Sequence, residues 1–119
     1  MKAERIAAAL VHDWKIAQTI VESHGGRFFA FLQPISYFSQ TKLDHISVSE
    51  TLRKQFELIY PMIRNRAREQ RGLYDLTDLF DRNEYIYVDY AHVSPNGNRY
   101  AAERILSIID EQVGGSAVE

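Results

Sequence analysis

Residues 28–33, FFAFLQ, form a short and nearly continuous apolar run between Gly25-Gly26 and Pro34. Side chains of a strand alternate between its two faces, so a run that is apolar at successive positions predicts a strand buried on both, as in a parallel sheet. Such a strand needs neighbours along both edges, because an open row of amides and carbonyls invites pairing with another chain. The rest of the sequence must supply those neighbours, and it supplies few.

Ahead of the run, Ile6, Leu10, Trp14, Ala17 and Val21 recur at spacings of three and four, which predicts one buried helix face over residues 2–23. Gly25-Gly26 provides the stop, since glycine accepts the left-handed conformation that closes a helix. After Pro34, the stretch ISYFSQTKLDHI reads as an irregular loop at the carboxyl end of the strand, where open α/β sheets place their ligands. Ser47 to Glu50 fit a capping box with Ser47 as the cap. A helix through Leu52, Phe56, Ile59, Tyr60 and Ile63 to about Gln70 follows, and a short strand or turn falls near residues 73–76. Ser94 as N-cap, Pro95 at the first helical position, and Tyr100, Ala101, Ile105, Ile108 and Ile109 on one face predict a last helix. Gly114-Gly115 ends it, leaving residues 114–119 as a flexible tail. The order helix, strand, helix, strand, helix predicts one α/β domain over residues 1–119.

Composition narrows the function. Hydrophobic residues make up 45% and charged residues 25% of the 119, the balance of a soluble globular chain. A net charge of −2 provides no field for steering onto DNA or RNA. No cysteine is present, which excludes disulfides, thiolate metal sites and a thiol nucleophile. No uncharged run approaches the roughly 18 residues of a membrane span. The chain as written reads as soluble and cytoplasmic, with export open if a signal segment once preceded it.

The chemistry concentrates in VDYAHVSPNGN, residues 88–98. General-base catalysis needs a histidine within reach of a hydroxyl, and a carboxylate on its other ring nitrogen to fix the tautomer. Asp89 and His92 are spaced so that a single turn can aim both side chains at one pocket. The plain alternative is an aspartate capping its own turn and a histidine half exposed before a helix.

The block YVDYAHVSPNGNRYAAERI resembles the last conserved block of the SGNH (GDSL-type) hydrolase superfamily, in which Asp-x-x-His precedes a terminal helix that a Gly-Asn-like turn enters. GGRFFAFLQP looks like the penultimate strand of some members, and LYDLTDLF like the final one. The resemblance implies a three-layer α/β/α fold of which this chain holds only the late parallel strands and their flanking helices. It also implies hydrolysis of an ester, of an acylated carbohydrate or a lipid, with no cofactor and no metal. His92 would be the general base and Asp89 its orienter, while a serine from a Gly-Asp-Ser block and the oxyanion-hole blocks would come from elsewhere. No serine in this chain follows Gly-Asp, and no Gly-x-Asn-Asp occurs. The chain alone is therefore expected to be inactive, and a missing N-terminal half or a second copy is expected to complete the sheet.

Gln33 and Tyr37 could border a substrate cleft at the end of the strand. Asp44-His45 reads as a solvated loop pair, since no third metal ligand is apparent. Ser47 and Ser94 read as helix caps, Ser36 and Ser39 as loop residues, and Ser107 as a helix residue, so none stands out as a nucleophile. Two rivals remain: a non-catalytic interaction module that pairs through an open sheet edge, and a small α/β protein in which Asp89 and His92 are structural.

Overall fold

The computed structural model describes residues 1–114, so of the expected tail over 114–119 all but Gly114 lies outside the described residues. The chain is a mixed α/β protein with three long helices and a small parallel sheet: α1 (Lys2–Ser23), β1 (Ala30–Leu32), α2 (Glu50–Ala67), β2 (Leu73–Asp75) and α3 (Pro95–Gly114). It packs as two compact units. The first comprises Met1–Gln33 and Val48–Leu76; the second comprises Pro34–Ser47 and the chain from Thr77 onward.

In the first unit α1 packs along α2, and β1 pairs with β2 in parallel, Phe31 opposite Tyr74. α1 ends where the glycine pair predicts. Gly25 takes φ +78°, which lets the Gly26 amide turn back to Val21 O at 3.0 Å. The buried face of α1 differs from the expected one. Ala3, Ala7 and Val11 are fully buried, Leu10, Trp14, Ala17 and Val21 are half-buried, and Ile6 is 42% exposed. The most buried positions lie to one side of the expected stripe, toward the small side chains that let two helix backbones approach. α2 also starts differently. Its cap is Ser49 rather than Ser47: Ser49 Oγ accepts the Leu52 amide at 3.3 Å, and Glu50 becomes the first helical residue.

The FFAFLQ strand is shorter than its apolar run, and only one face of it is fully buried. Ala30 and Leu32 point into the core with Tyr60, Ile63, Ala67 and Leu76. Phe31 and Phe29 lie on the other face, half-buried, stacked on each other at 6.5 Å and on Tyr74 at 5.6 and 6.1 Å. Aromatic rings that cover one another account for the second apolar face that the sequence displays.

The second unit is built on Ile35, Leu79, Phe80, Ile86 and Tyr87, all buried, of which Ile35, Ile86 and Tyr87 are the largest fully enclosed side chains. Burying an isoleucine contributes about 1.5–3 kcal/mol, so this small cluster suffices to hold irregular backbone. A single 3₁₀ turn, Ser36–Phe38, lies in its first segment. Residues 85–90 form no regular strand; the one pairing there is an antiparallel bridge between Tyr87 and Val93. α3 starts as expected, with Ser94 Oγ accepting the Gly97 amide at 3.3 Å and Pro95 first in the helix.

Candidate functional site

Asp89 and His92 occupy the tip of a narrow hairpin. Ser94 N–H donates to Ile86 O at 2.7 Å and Val88 N–H donates to His92 O at 2.9 Å, so the two sides are tied just outside the pair. Within the tip, Asp89 Oδ1 accepts the backbone amides of Ala91 (2.9 Å) and His92 (2.7 Å). Its second oxygen, Oδ2, lies 2.8 Å from His92 Nδ1. One carboxylate thus shapes the turn with one oxygen and receives the imidazole with the other. The capping role and the orienting role, which looked like alternatives in the sequence, coexist.

A carboxylate only accepts at this pH range, so the proton on the shared line belongs to Nδ1. In the neutral ring Nε2 then carries a lone pair. The His92 side chain is 80% exposed and, among the described residues, Nε2 makes no hydrogen bond, so that lone pair faces outward. The Asp89 carboxyl is held down from its usual 3.8 to about 2, chiefly by the His92 amide, then by the Ala91 amide, then by the His92 ring. It stays ionised throughout the range in which a histidine base works.

That depression has a consequence for stability. A carboxyl whose pKa is lower in the folded state stabilises fully above its unfolded pKa, and loses the contribution as pH falls through the folded value. The gap in thermal midpoint between the parent and Asp89→Ala should be constant above about pH 5, then close between about pH 4 and pH 2. A gap that persists unchanged at pH 2 would mean that the ionised carboxylate does not hold the turn.

Segment Pro34–Ser47 packs beside the hairpin within the second unit. Ser36 N–H donates to Tyr90 O at 3.0 Å, and the Tyr37 ring stacks on Tyr90 at 6.1 Å with 18° between planes. Tyr90 lies between Asp89 and His92, so Tyr37 does reach the turn that carries the pair. Gln33 belongs to the first unit, where its side chain is exposed and its carbonyl accepts the Tyr60 hydroxyl at 3.2 Å. Deeper in the second unit, the buried Ser39 hydroxyl lies 3.1 Å from Ile35 O and 2.6 Å from the Tyr87 hydroxyl. With the serine proton committed to Ile35 O, Tyr87 donates. His45 Nε2 reaches Tyr87 O at 2.6 Å, and its ring meets the Tyr85 ring edge-on at 5.0 Å.

Tyr87 carries no signal of these contacts in the sequence, where Asp44-His45 reads as a solvated loop pair and Ser39 as a loop residue. The contacts of His45 and Ser39 with Tyr87 span 42 and 48 positions. Among the described residues no serine hydroxyl bonds to His92: Ser49 and Ser94 are helix caps, and Ser39 is buried in the core. Nor, among the described residues, do three or more His, Cys, Asp or Glu side chains gather as a metal would require. No described helix is long and apolar enough to cross a membrane.

The fold and the site together define a helix-rich α/β chain that presents an oriented Asp–His pair on a hairpin tip. Comparison with protein families, with curated proteins and with solved structures returned no match.

Proposed function

We propose that this chain is the C-terminal portion of an SGNH-type serine ester hydrolase, contributing His92 as general base and Asp89 as its orienter to a site completed by another polypeptide segment. One observation carries the reading: Asp89 Oδ2 holds His92 Nδ1 at 2.8 Å while Nε2 is turned outward. The completing segment supplies the serine and the oxyanion donors. Nε2 accepts the serine proton as Oγ bonds to the ester carbonyl carbon, and the imidazolium formed is stabilised by the Asp89 carboxylate. The same proton then passes to the departing alkoxide as the ester C–O bond breaks. In the second half, Nε2 takes a proton from water as its oxygen attacks the acyl-enzyme, and returns it to the serine as the acid leaves. The substrate class is an acylated carbohydrate or a lipid ester.

The test uses a fluorophosphonate, which labels only an activated serine. The isolated chain should remain unlabelled. Mixed with an N-terminal half carrying a Gly-Asp-Ser block, it should promote labelling of that half and hydrolysis of a short ester; a mixture that associates and stays inert would remove the catalytic reading.

A second reading, a non-catalytic module that pairs through its sheet edge, is favoured by the geometry of β1. Ala30 N–H and Leu32 O bond toward β2, at 2.8 Å to Gly72 O and 3.1 Å from Leu76 N. In a parallel ladder the amide and carbonyl of Phe31 then face away from β2, and β1 itself, Ala30–Leu32, carries no charge or proline. Self-association together with absent labelling in every mixture supports this second reading over the first.

A further inference from the structure

The peptide unit between Tyr87 and Val88 is gripped on both sides. Its carbonyl accepts a hydrogen bond from His45 Nε2 at 2.6 Å, and its amide donates to the carbonyl of His92 at 2.9 Å. A continuous line of hydrogen bonds therefore runs from the His45 ring, through one peptide plane, to the backbone of the base. Hydrogen bonds in such a chain polarise one another, and fixing the plane at one end fixes the direction of the bond at the other. We propose that His45 is a positioning residue for His92, acting through the Tyr87–Val88 peptide; the inference rests on the catalytic reading of the Asp89–His92 pair.

The surroundings of His45 suit that role. Its ring is braced edge-on by Tyr85, whose hydroxyl donates to Asp44 Oδ2 at 3.2 Å and whose face carries Lys42 Nζ at 5.1 Å. A carbonyl only accepts, so this contact requires the proton on Nε2 of His45. The hairpin is also docked by the Ser36 amide on Tyr90 O, the Tyr37–Tyr90 stack and the buried Ser39–Tyr87 hydroxyl pair. Loss of His45 therefore leaves the hairpin docked but frees the Tyr87–Val88 peptide, and with it the His92 backbone that sets the ring against Asp89 Oδ2.

The experiment compares His45→Phe, which keeps a ring against Tyr85 and removes the donor, with His45→Gln, whose side-chain amide can still donate to Tyr87 O. Two readouts are taken on the full chain: hydrogen exchange of the Val88 amide, and the His92 tautomer from two-bond ¹H–¹⁵N correlations. In His45→Phe, Val88 exchange should rise about fivefold or more, the loss of one hydrogen bond, and the His92 ratio should shift from Nδ1–H toward Nε2–H. His45→Gln should stay within about twofold of the parent, and the amides of α1 and α2 should be unchanged in both. The proposal is overturned if His45→Phe leaves Val88 and the tautomer as in the parent, if His45→Gln behaves like His45→Phe, or if exchange rises equally along α1 and α2. Neither readout needs a serine or a substrate, so a failure of the esterase reading, seen in turnover, is a separate result.

Discussion

If the chain serves the esterase proposed above, His92→Ala should lower ester hydrolysis by about 10⁶-fold, and Asp89→Asn by about 10⁴-fold, in a complex with an N-terminal half bearing the nucleophile. The two magnitudes differ because the two residues do different things. On that reading nothing takes the serine proton without His92. With Asp89→Asn the base remains but its tautomer is wrong: Asn Oδ1 can still accept the Ala91 and His92 amides, now at 2.9 and 2.7 Å, which keeps the turn. The amide nitrogen then faces Nδ1 where Oδ2 stood at 2.8 Å. Two donors cannot share that line, so the ring proton moves to Nε2 and the lone pair that should receive the serine proton is lost. Asp89→Asn should therefore reduce kcat with KM little changed, and in the isolated chain should convert His92 from the Nδ1–H to the Nε2–H tautomer. Turnover in His92→Ala equal to that of the parent would remove the catalytic assignment, whatever the tautomer.

The pair was legible in the sequence because its geometry is local. Three residues of spacing and one turn decide whether Asp89 meets His92, and the turn is made by Asp89 itself. Helix starts and stops were legible for the same reason: Ser94-Pro95 and Gly25 act within one turn of where they stand. Hydrophobic periodicity located α1 and most of its covered face, but it weighs side chains by apolarity, whereas packing against α2 selected Ala3 and Ala7 over Ile6 as the most buried positions. Of two serines two positions apart, spacing to a glutamate favoured Ser47, while the structure used Ser49, whose hydroxyl meets Leu52 N. The clamp on the hairpin had no local signal at all. His45 and Tyr87 are 42 residues apart, and only the folded chain shows that a histidine in a polar loop faces a carbonyl. Nor could the apolar run FFAFLQ reveal that Phe29 and Phe31 would stack with Tyr74 rather than meet a covering layer.

Gly97 carries the second large effect, and for a reason other than turn formation. The Gly-Asn pair that seemed to form a turn into the helix stands inside the first turn of α3, with the Gly97 amide on Ser94 Oγ. What excludes a side chain there is space: a Cβ would lie 2.7 Å from Val93 Cβ, 2.9 Å from Ile86 Cγ2 and 3.0 Å from Val93 Cγ2. Replacing glycine by alanine within a helix ordinarily gains up to about 1 kcal/mol, whereas overpacking a filled core costs about 1–3 kcal/mol. The position of Val93 Cβ decides between them, because a Cβ is fixed by its own backbone and cannot rotate aside. Val93 bridges Tyr87 and follows His92, and the Ile86 carbonyl takes the Ser94 amide. Relief must therefore come from moving the hairpin that carries the pair. Gly97→Ala should lower the thermal midpoint by about 5–10 °C, given about 4–8 °C per kcal/mol for a domain of roughly this size, and should disturb the His92 tautomer as well. Gly97→Val, with two further carbons in the same space, should unfold the second unit while α1 and α2 retain their helical signal. A Gly97→Ala chain as stable as the parent would show that Val93 and Ile86 yield at little cost, and the close approach of α3 to the hairpin would then not be what sets the frame of the Asp89–His92 pair.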